Sequence, residues 1–267
     1  MAADTAERRG IFADLPEPDY LADPHSISAS GAKQLLKSPA HFKLPPWFSE
    51  AADLGSAFHT ETLGVGQEVV VVDAASWRGK DAAVAQEQAR AEGKAPILAK
   101  NIPTVQAMAR AVREHPMASR LLAEPGRPEL SAFWRDEVWD VTRRARIDYL
   151  TDSGINIDLK STNSVDRHAL QRKVMDLGYD LSAAWYEDVM RGVDIDLRAT
   201  ALVFVEKEPP YRVRVVELSE DFIDRGRRLC AKALGIYRDC TEADLWPSYD
   251  DNGFTTIYPP AWAREED

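Results

Sequence analysis

Residues 156–162 read NIDLKST: Asn156, Ile157, Asp158, Leu159, Lys160, Ser161, Thr162. Apolar and polar residues alternate, as they do in a strand whose successive side chains point to opposite faces. Ile155, Ile157 and Leu159 are expected on the buried face. Asn156, Asp158 and Lys160 are expected on the other face, away from the core. The pattern sets a carboxylate and an ammonium side by side. Taken alone, such a pair is an ordinary surface ion pair worth under about 1 kcal/mol. The reading of the stretch therefore depends on what the rest of the chain brings to it.

The preceding stretch brings a second acid. In RARIDYL (144–150), Ala145, Ile147 and Tyr149 alternate with Arg146 and Asp148. TDSG (151–154) has turn composition, so the two strands are expected to pair antiparallel, with Asp148 near Asp158. Two carboxylates at short range repel unless a proton or a cation lies between them. Mg2+ or Mn2+, hard ions that take oxygen ligands, suit such a site. Lys160 would then offset charge on a phosphate oxygen or help to activate a water.

The chain has 267 residues, 45% of them hydrophobic, which suits one large domain with at most a small attachment. No apolar run approaches the roughly 18 residues of a membrane span. The opening MAADTAERRGIFADLPEP is charged and polar, unlike a secretion signal. Cys230 and Cys240 suggest neither a disulfide framework nor a four-thiolate cluster. A cytoplasmic location is expected. The net charge of -11 argues against a protein that coats nucleic acid, because such binding is largely phosphate neutralisation. It leaves room for a carboxylate-rich metal site with basic residues gathered on one face. Arg143, Arg144 and Arg146 precede Asp148, and Arg167 to Lys173 follow Lys160. Arg143 and Arg146 are candidate DNA contacts.

The order of elements predicts an α/β fold with a mixed central β-sheet flanked by helices and a helical N-terminal part. Residues 1–25 are expected as a flexible arm, 26–247 as one domain (helical over 26–126, α/β over 127–247), and 248–267 as an irregular tail. SISASGAKQLLKSPAHF starts with capping serines, and Ser38-Pro39 ends its helix. KLPPWF is expected as a stiff loop, LGSAFHTETLG (54–64) as a helix and EVVVVD (68–73) as a buried strand. Residues 80–92 form a polar helix closed by Gly93, and two further helices meet at Pro116. Residues 129–162 give three strands, and residues 166–192 are helical. Two strands flank Pro209-Pro210, and a long amphipathic helix starts at Ser219. There are no internal repeats, no Gly-rich phosphate loop, no GxSxG and no HExxH.

An acid followed after a hairpin by DLK resembles the PD-(D/E)xK nuclease superfamily: Asp148 matches the first acid, and Asp158 and Lys160 match the second acid and the lysine. LGSAFHTETLG resembles the upstream histidine motif of RecE-type (exonuclease VIII) and RecB-type nucleases. SISASGAKQLLKSPAHF resembles their opening helix, PELSAFW a strand with an upstream glutamate, and FVEKEPPYRVRVVEL the strand pair after the catalytic core. Together these cover roughly residues 25–245.

The resemblance implies a phage or prophage RecE-like exonuclease working in a bacterial host cytoplasm. Asp148 and Asp158, with His59 and the Leu159 carbonyl, would hold the metal. Lys160 would orient a water or offset developing charge, and Glu129 would support a second ion. It further implies 5′-to-3′ digestion of double-stranded DNA, a single-strand annealing protein as partner, and a homo-oligomer, commonly a tetramer. Related nucleases often carry a helical QxxxY. Here Tyr186 is present, but Ser182 stands where the glutamine would be, so both are DNA-contact candidates of a weaker kind. Two other readings stand beside this one: a RecB-like single-strand or flap nuclease, and a catalytically silent DNA-end-binding scaffold of the same fold.

Overall fold

The computed structural model of the chain describes residues 7–45, 48–249 and 253–259. Its N-terminal part consists of β1 (Gly10–Phe12), α1 (Glu17–Leu21), β2 (Ser26–Ser28), α2 (Ala29–Lys37), α3 (Pro39–Phe42), α4 (Glu50–Leu63), β3 (Val69–Val72), α5 (Lys80–Ala91), β4 (Ala95–Leu98), α6 (Ile102–Glu114) and α7 (Pro116–Leu122). The remainder consists of β5 (Gly126–Asp136), β6 (Val141–Thr151), β7 (Ile155–Thr162), α8 (Arg167–Asp176), α9 (Tyr179–Gly192), β8 (Ala199–Glu206), β9 (Val213–Glu217) and α10 (Glu220–Ala243).

The main sheet has seven strands, ordered β1-β5-β6-β7-β8-β9, with β2 joined in parallel to β6. β7 and β8 are parallel and are linked through α8 and α9. The other neighbours along the path are antiparallel. This is the mixed sheet the element order predicts. On one face α2, α9 and α10 bury Leu130, Ile147, Leu150 and the wholly enclosed Trp185. On the other, α4, α6 and α7 bury Ile157, Leu159, Val203 and Val205 against Phe58 and Met108. Each large apolar side chain so enclosed contributes roughly 2 kcal/mol.

Several local expectations change. The face of β7 expected to point outward is largely covered. Ile157 and Leu159 are buried as predicted, but Asn156 and Asp158 are only 0% and 4% exposed. A strand between two neighbours in a sheet covered by helices on both sides is enclosed whichever way a side chain points. The arm expected at residues 1–25 contains β1, paired with β5, and α1. Phe12 and Tyr20 tie it down, each edge-on to Phe133 at 5.5 and 6.0 Å. β3 forms a separate two-stranded sheet with β4 and leaves Val71 half exposed, so EVVVVD is not a core strand. The helical run after Asp166 breaks at Gly178, whose φ of +60° suits glycine. Ser219 stands at the start of α10 without a side-chain capping bond. Residues 1–6 of the arm, Pro46 and Trp47 of the loop, and residues 250–252 and 260–267 of the tail lie outside the described residues.

Candidate active site

β6 and β7 part company at one point. Tyr149 and Leu150 pair with Ile157 and Asn156, and the ladder ends there. One residue on, the main-chain N–H of Leu159 donates to Oδ2 of Asp148 at 2.8 Å. A side chain has taken the place of the next ladder bond. Asp148 is therefore held beside the main chain of the DLK segment by register as well as by charge.

α4 supplies the histidine. Phe58 is fully buried among Ile157, Leu159 and Met108 and locks the helix against β7. The next residue, His59, then faces the strand. Its Nε2 donates to the Leu159 carbonyl at 2.9 Å, and its Nδ1 lies 3.5 Å from Oδ2 of Asp148. Both polar groups of the Leu159 main chain are thus engaged, one by the acid and one by the imidazole.

Asp158 lies behind Lys160, whose ammonium hydrogen-bonds it directly. Burial pushes the Asp158 carboxyl above the usual range, and the Asp148 charge adds to this against the pull of Lys160. Burial alone would lower Lys160, but the Asp158 and Asp148 charges outweigh it and hold the ammonium firmly charged. The two acids are close enough to repel, as their positions in sequence predict.

A cavity of about 370 Å3 opens onto this cluster, lined among others by His59, Glu129, Asp148, Lys160, Tyr179 and Tyr186. Glu129 has a positive φ of 51°, unusual for a side chain in a strand, and accepts from Nε of Arg146 at 2.7 Å. Burial, with Asp148 nearby, raises its carboxyl. Tyr186 follows the buried Trp185 on α9 and has its hydroxyl raised well above the usual value, first by burial and then by Asp158. It lines the cavity and also packs against the core. Ser182, one turn earlier, is 7% exposed and does not reach the cavity lining.

The two arginines proposed as DNA contacts are already occupied. Arg143 is 3% exposed, pairs with Asp136 and Asp188 at 3.0 Å each, and lies 4.1 Å over the Trp185 ring. It faces α9 and cannot reach a ligand. Arg146 does reach the cavity, but its guanidinium is held by Glu129, Ser131 and the Leu15 carbonyl. One carboxylate at the site escaped the sequence reading. Glu17, at the start of α1, lines the cavity, and burial raises its carboxyl. Its only sequence signal was its place before Pro18, a proline in the first turn of α1.

Among the described residues, no group of three or more His, Cys, Asp or Glu side chains is arranged to enclose a metal ion. The donor set nevertheless has the right chemistry for a hard divalent cation. Two mutually repelling carboxylates, a main-chain carbonyl and an imidazole sit side by side, engaged with one another and with Lys160.

An acid on each of two parting strands, a lysine two residues after the second acid, and a helical histidine define a nuclease core of the PD-(D/E)xK kind. The model of the family described as PDDEXK-like domain of unknown function (DUF3799) matches residues 28–253, and the chain belongs to this family. No curated protein matches the chain. Among solved structures, a protein designated "Putative exonuclease" from Eubacterium rectale shares the fold at a TM-score of 0.64 and 12% identity, over 94% of this chain and 97% of that one. A phage-related exonuclease from Haemophilus somnus 129PT aligns at 15% identity and a TM-score of 0.36, over 82% and 96% of the two chains. Among the described residues, no helix is long and apolar enough to cross a membrane.

Proposed function

We propose that this protein is a divalent-metal-dependent DNA exonuclease that digests double-stranded DNA from 5′ ends in phage-type recombination. The observation that carries the reading is the convergence of His59 and Asp148 on the main chain of Leu159, with the bonded pair Asp158 and Lys160 flanking it in β7. Asp148, Asp158, the Leu159 carbonyl and His59 would hold the cation, Mg2+ or Mn2+. When bound, such a cation stabilises charge on a phosphoryl oxygen and makes water a stronger nucleophile near neutral pH.

The chain's own residues do the rest. Lys160, fixed by Asp158 and charged at neutral pH, would offset negative charge growing on the scissile phosphate. Glu129, steadied by Arg146, supports a second cation or accepts a proton from water. Tyr186 limits the cavity on the helix side. A tetrameric ring and an annealing-protein partner complete the proposal.

Duplexes labelled at the 5′ or the 3′ end, incubated with Mg2+ and then with EDTA, test it, with Asp158→Ala as the control. Early release of the 5′ label that stops with EDTA is expected. Digestion confined to single strands or flaps would favour the RecB-like reading. No digestion by either protein would favour the silent scaffold.

A further inference from the structure

Lys33 on α2 and Lys160 on β7 approach the same ring. Their ammonium nitrogens lie 5.5 and 5.4 Å from the centroid of Tyr179. Lys160 has Asp158 as its counter-ion; among the described residues Lys33 has no carboxylate paired with it. Two further lysines lie beside the next stretch of β7. Thr162 is two residues beyond Lys160, about 7 Å along the strand and on the same face. The Lys173 ammonium donates to the Thr162 hydroxyl at 2.7 Å, and the Lys207 main-chain N–H donates to the Thr162 carbonyl at 2.9 Å. Neither lysine has an ion pair among the described residues.

The chain as a whole is acidic, with 44 acidic and 33 basic residues. Most of its surface repels polyanions, so cations left without carboxylates beside a proposed phosphodiester site point to a ligand that supplies the negative charge.

We propose that Lys33, Lys160, Lys173 and Lys207 form a row of ammonium groups that grips the phosphate backbone of the DNA strand at the site. This deepens the nuclease reading and rests on it. Lys33 and the Lys173–Lys207 pair bind phosphates on either side of the group attacked beside Lys160. The electrostatics agree with the geometry. Burial lowers Lys33 to about 8, with the Lys160 charge next, and burial with the Lys207 charge lowers Lys173. Anions placed among these groups would relieve that strain.

Salt dependence tests the row directly. The full chain, in EDTA so that nothing is cut, binds a fluorescent duplex over roughly 50 to 200 mM salt, and the slope of log affinity against log salt is measured. Each lost phosphate contact makes the slope shallower by about 0.9 on duplex and about 0.7 on single strands. Lys33→Met keeps the aliphatic stem and removes the charge, so a slope shallower by about one contact is expected. Lys33→Arg keeps the slope. Lys173→Ala with Lys207→Ala makes it shallower by about two contacts. Lys232→Ala, on the exposed face of α10, leaves it unchanged. A wild type that binds and digests DNA, with Lys33→Met and the double variant at the wild-type slope, overturns the row and leaves the nuclease reading standing. An equal loss in Lys232→Ala overturns it as well, because binding is then diffuse. A wild type that neither binds nor digests DNA overturns both.

Discussion

The Leu159 peptide is clasped from two directions: its N–H donates to Asp148 at 2.8 Å, and its carbonyl accepts from His59 at 2.9 Å. The clasp separates the proposed metal-binding role of Asp148 from its structural one. Asp148→Asn keeps an oxygen for the Leu159 N–H but loses the charge a cation needs. DNA cleavage is expected to fall by about a thousandfold or more, the scale of lost transition-state charge stabilisation, with little change in the denaturant midpoint. Asp148→Ala should lose the same activity and also about 1–3 kcal/mol, because the N–H is left without an acceptor. Equal stability losses in both variants would show that the hydrogen bond does not hold the strand.

Arg143 is the clearest contrast between expectation and structure. Its guanidinium bridges Asp136 and Asp188 beneath Trp185. Arg143→Ala strands the buried Asp136, while the partly exposed Asp188 keeps Arg191 nearby, so it should cost about 3–5 kcal/mol of stability. Its DNA affinity, measured well below the melting temperature, should stay within about twofold of wild type. A large drop in affinity with unchanged stability would put the arginine back among the DNA contacts.

These cases show what the residues disclose on their own. Alternation in RARIDYL and INIDLKS, with a tight turn between, is a local signal, so the hairpin and the approach of Asp148 to Asp158 were legible. His59 needed only its neighbour Phe58 to turn it toward β7. The roles of Arg143, Arg146 and Glu17 depend on partners far away in sequence: Asp188, Leu15 and the cavity wall. No periodicity encodes such pairings. The same holds for β1 and β2, three-residue strands that exist because the main sheet offers them an edge to pair with. β4 contains Pro96, which lowers strand propensity, and it forms only because β3 is there to receive it.

Cation binding should depend on pH in a definite direction. The Asp158 and Glu129 carboxyls are raised, chiefly by burial, so protons compete for them above the ordinary carboxylate range. Mn2+ affinity, followed by calorimetry, should therefore increase as pH rises through the mildly acidic region, with proton release on binding. Asp158→Asn should bind more weakly and release fewer protons. Mn2+ affinity that is flat with pH in the wild type would mean that neither carboxyl gives up a proton to the ion.

Lys33 gives a stability prediction of the opposite kind. Its ordinary value is 10.5, and burial, followed by the Lys160 charge, brings it down to about 8 in the folded chain. Asp158, Asp180 and Cys230 are the groups that oppose this. Below about 8 the ammonium is charged in both states, and its desolvation cost is carried in full by the folded state. Between about 8 and 10.5 the unfolded chain holds the proton and the folded chain does not, so stability rises with pH across that window. The full shift corresponds to at most about 3 kcal/mol, and screening by water at this half-buried position makes it smaller. Lys33→Met removes the effect while leaving every other titrating group in place. Unfolding free energies of the two proteins, measured side by side from pH 7 to about 10, should therefore differ by an amount that moves steadily in favour of the wild type. A constant difference would place the Lys33 ammonium in water, as free in the native protein as in the unfolded chain.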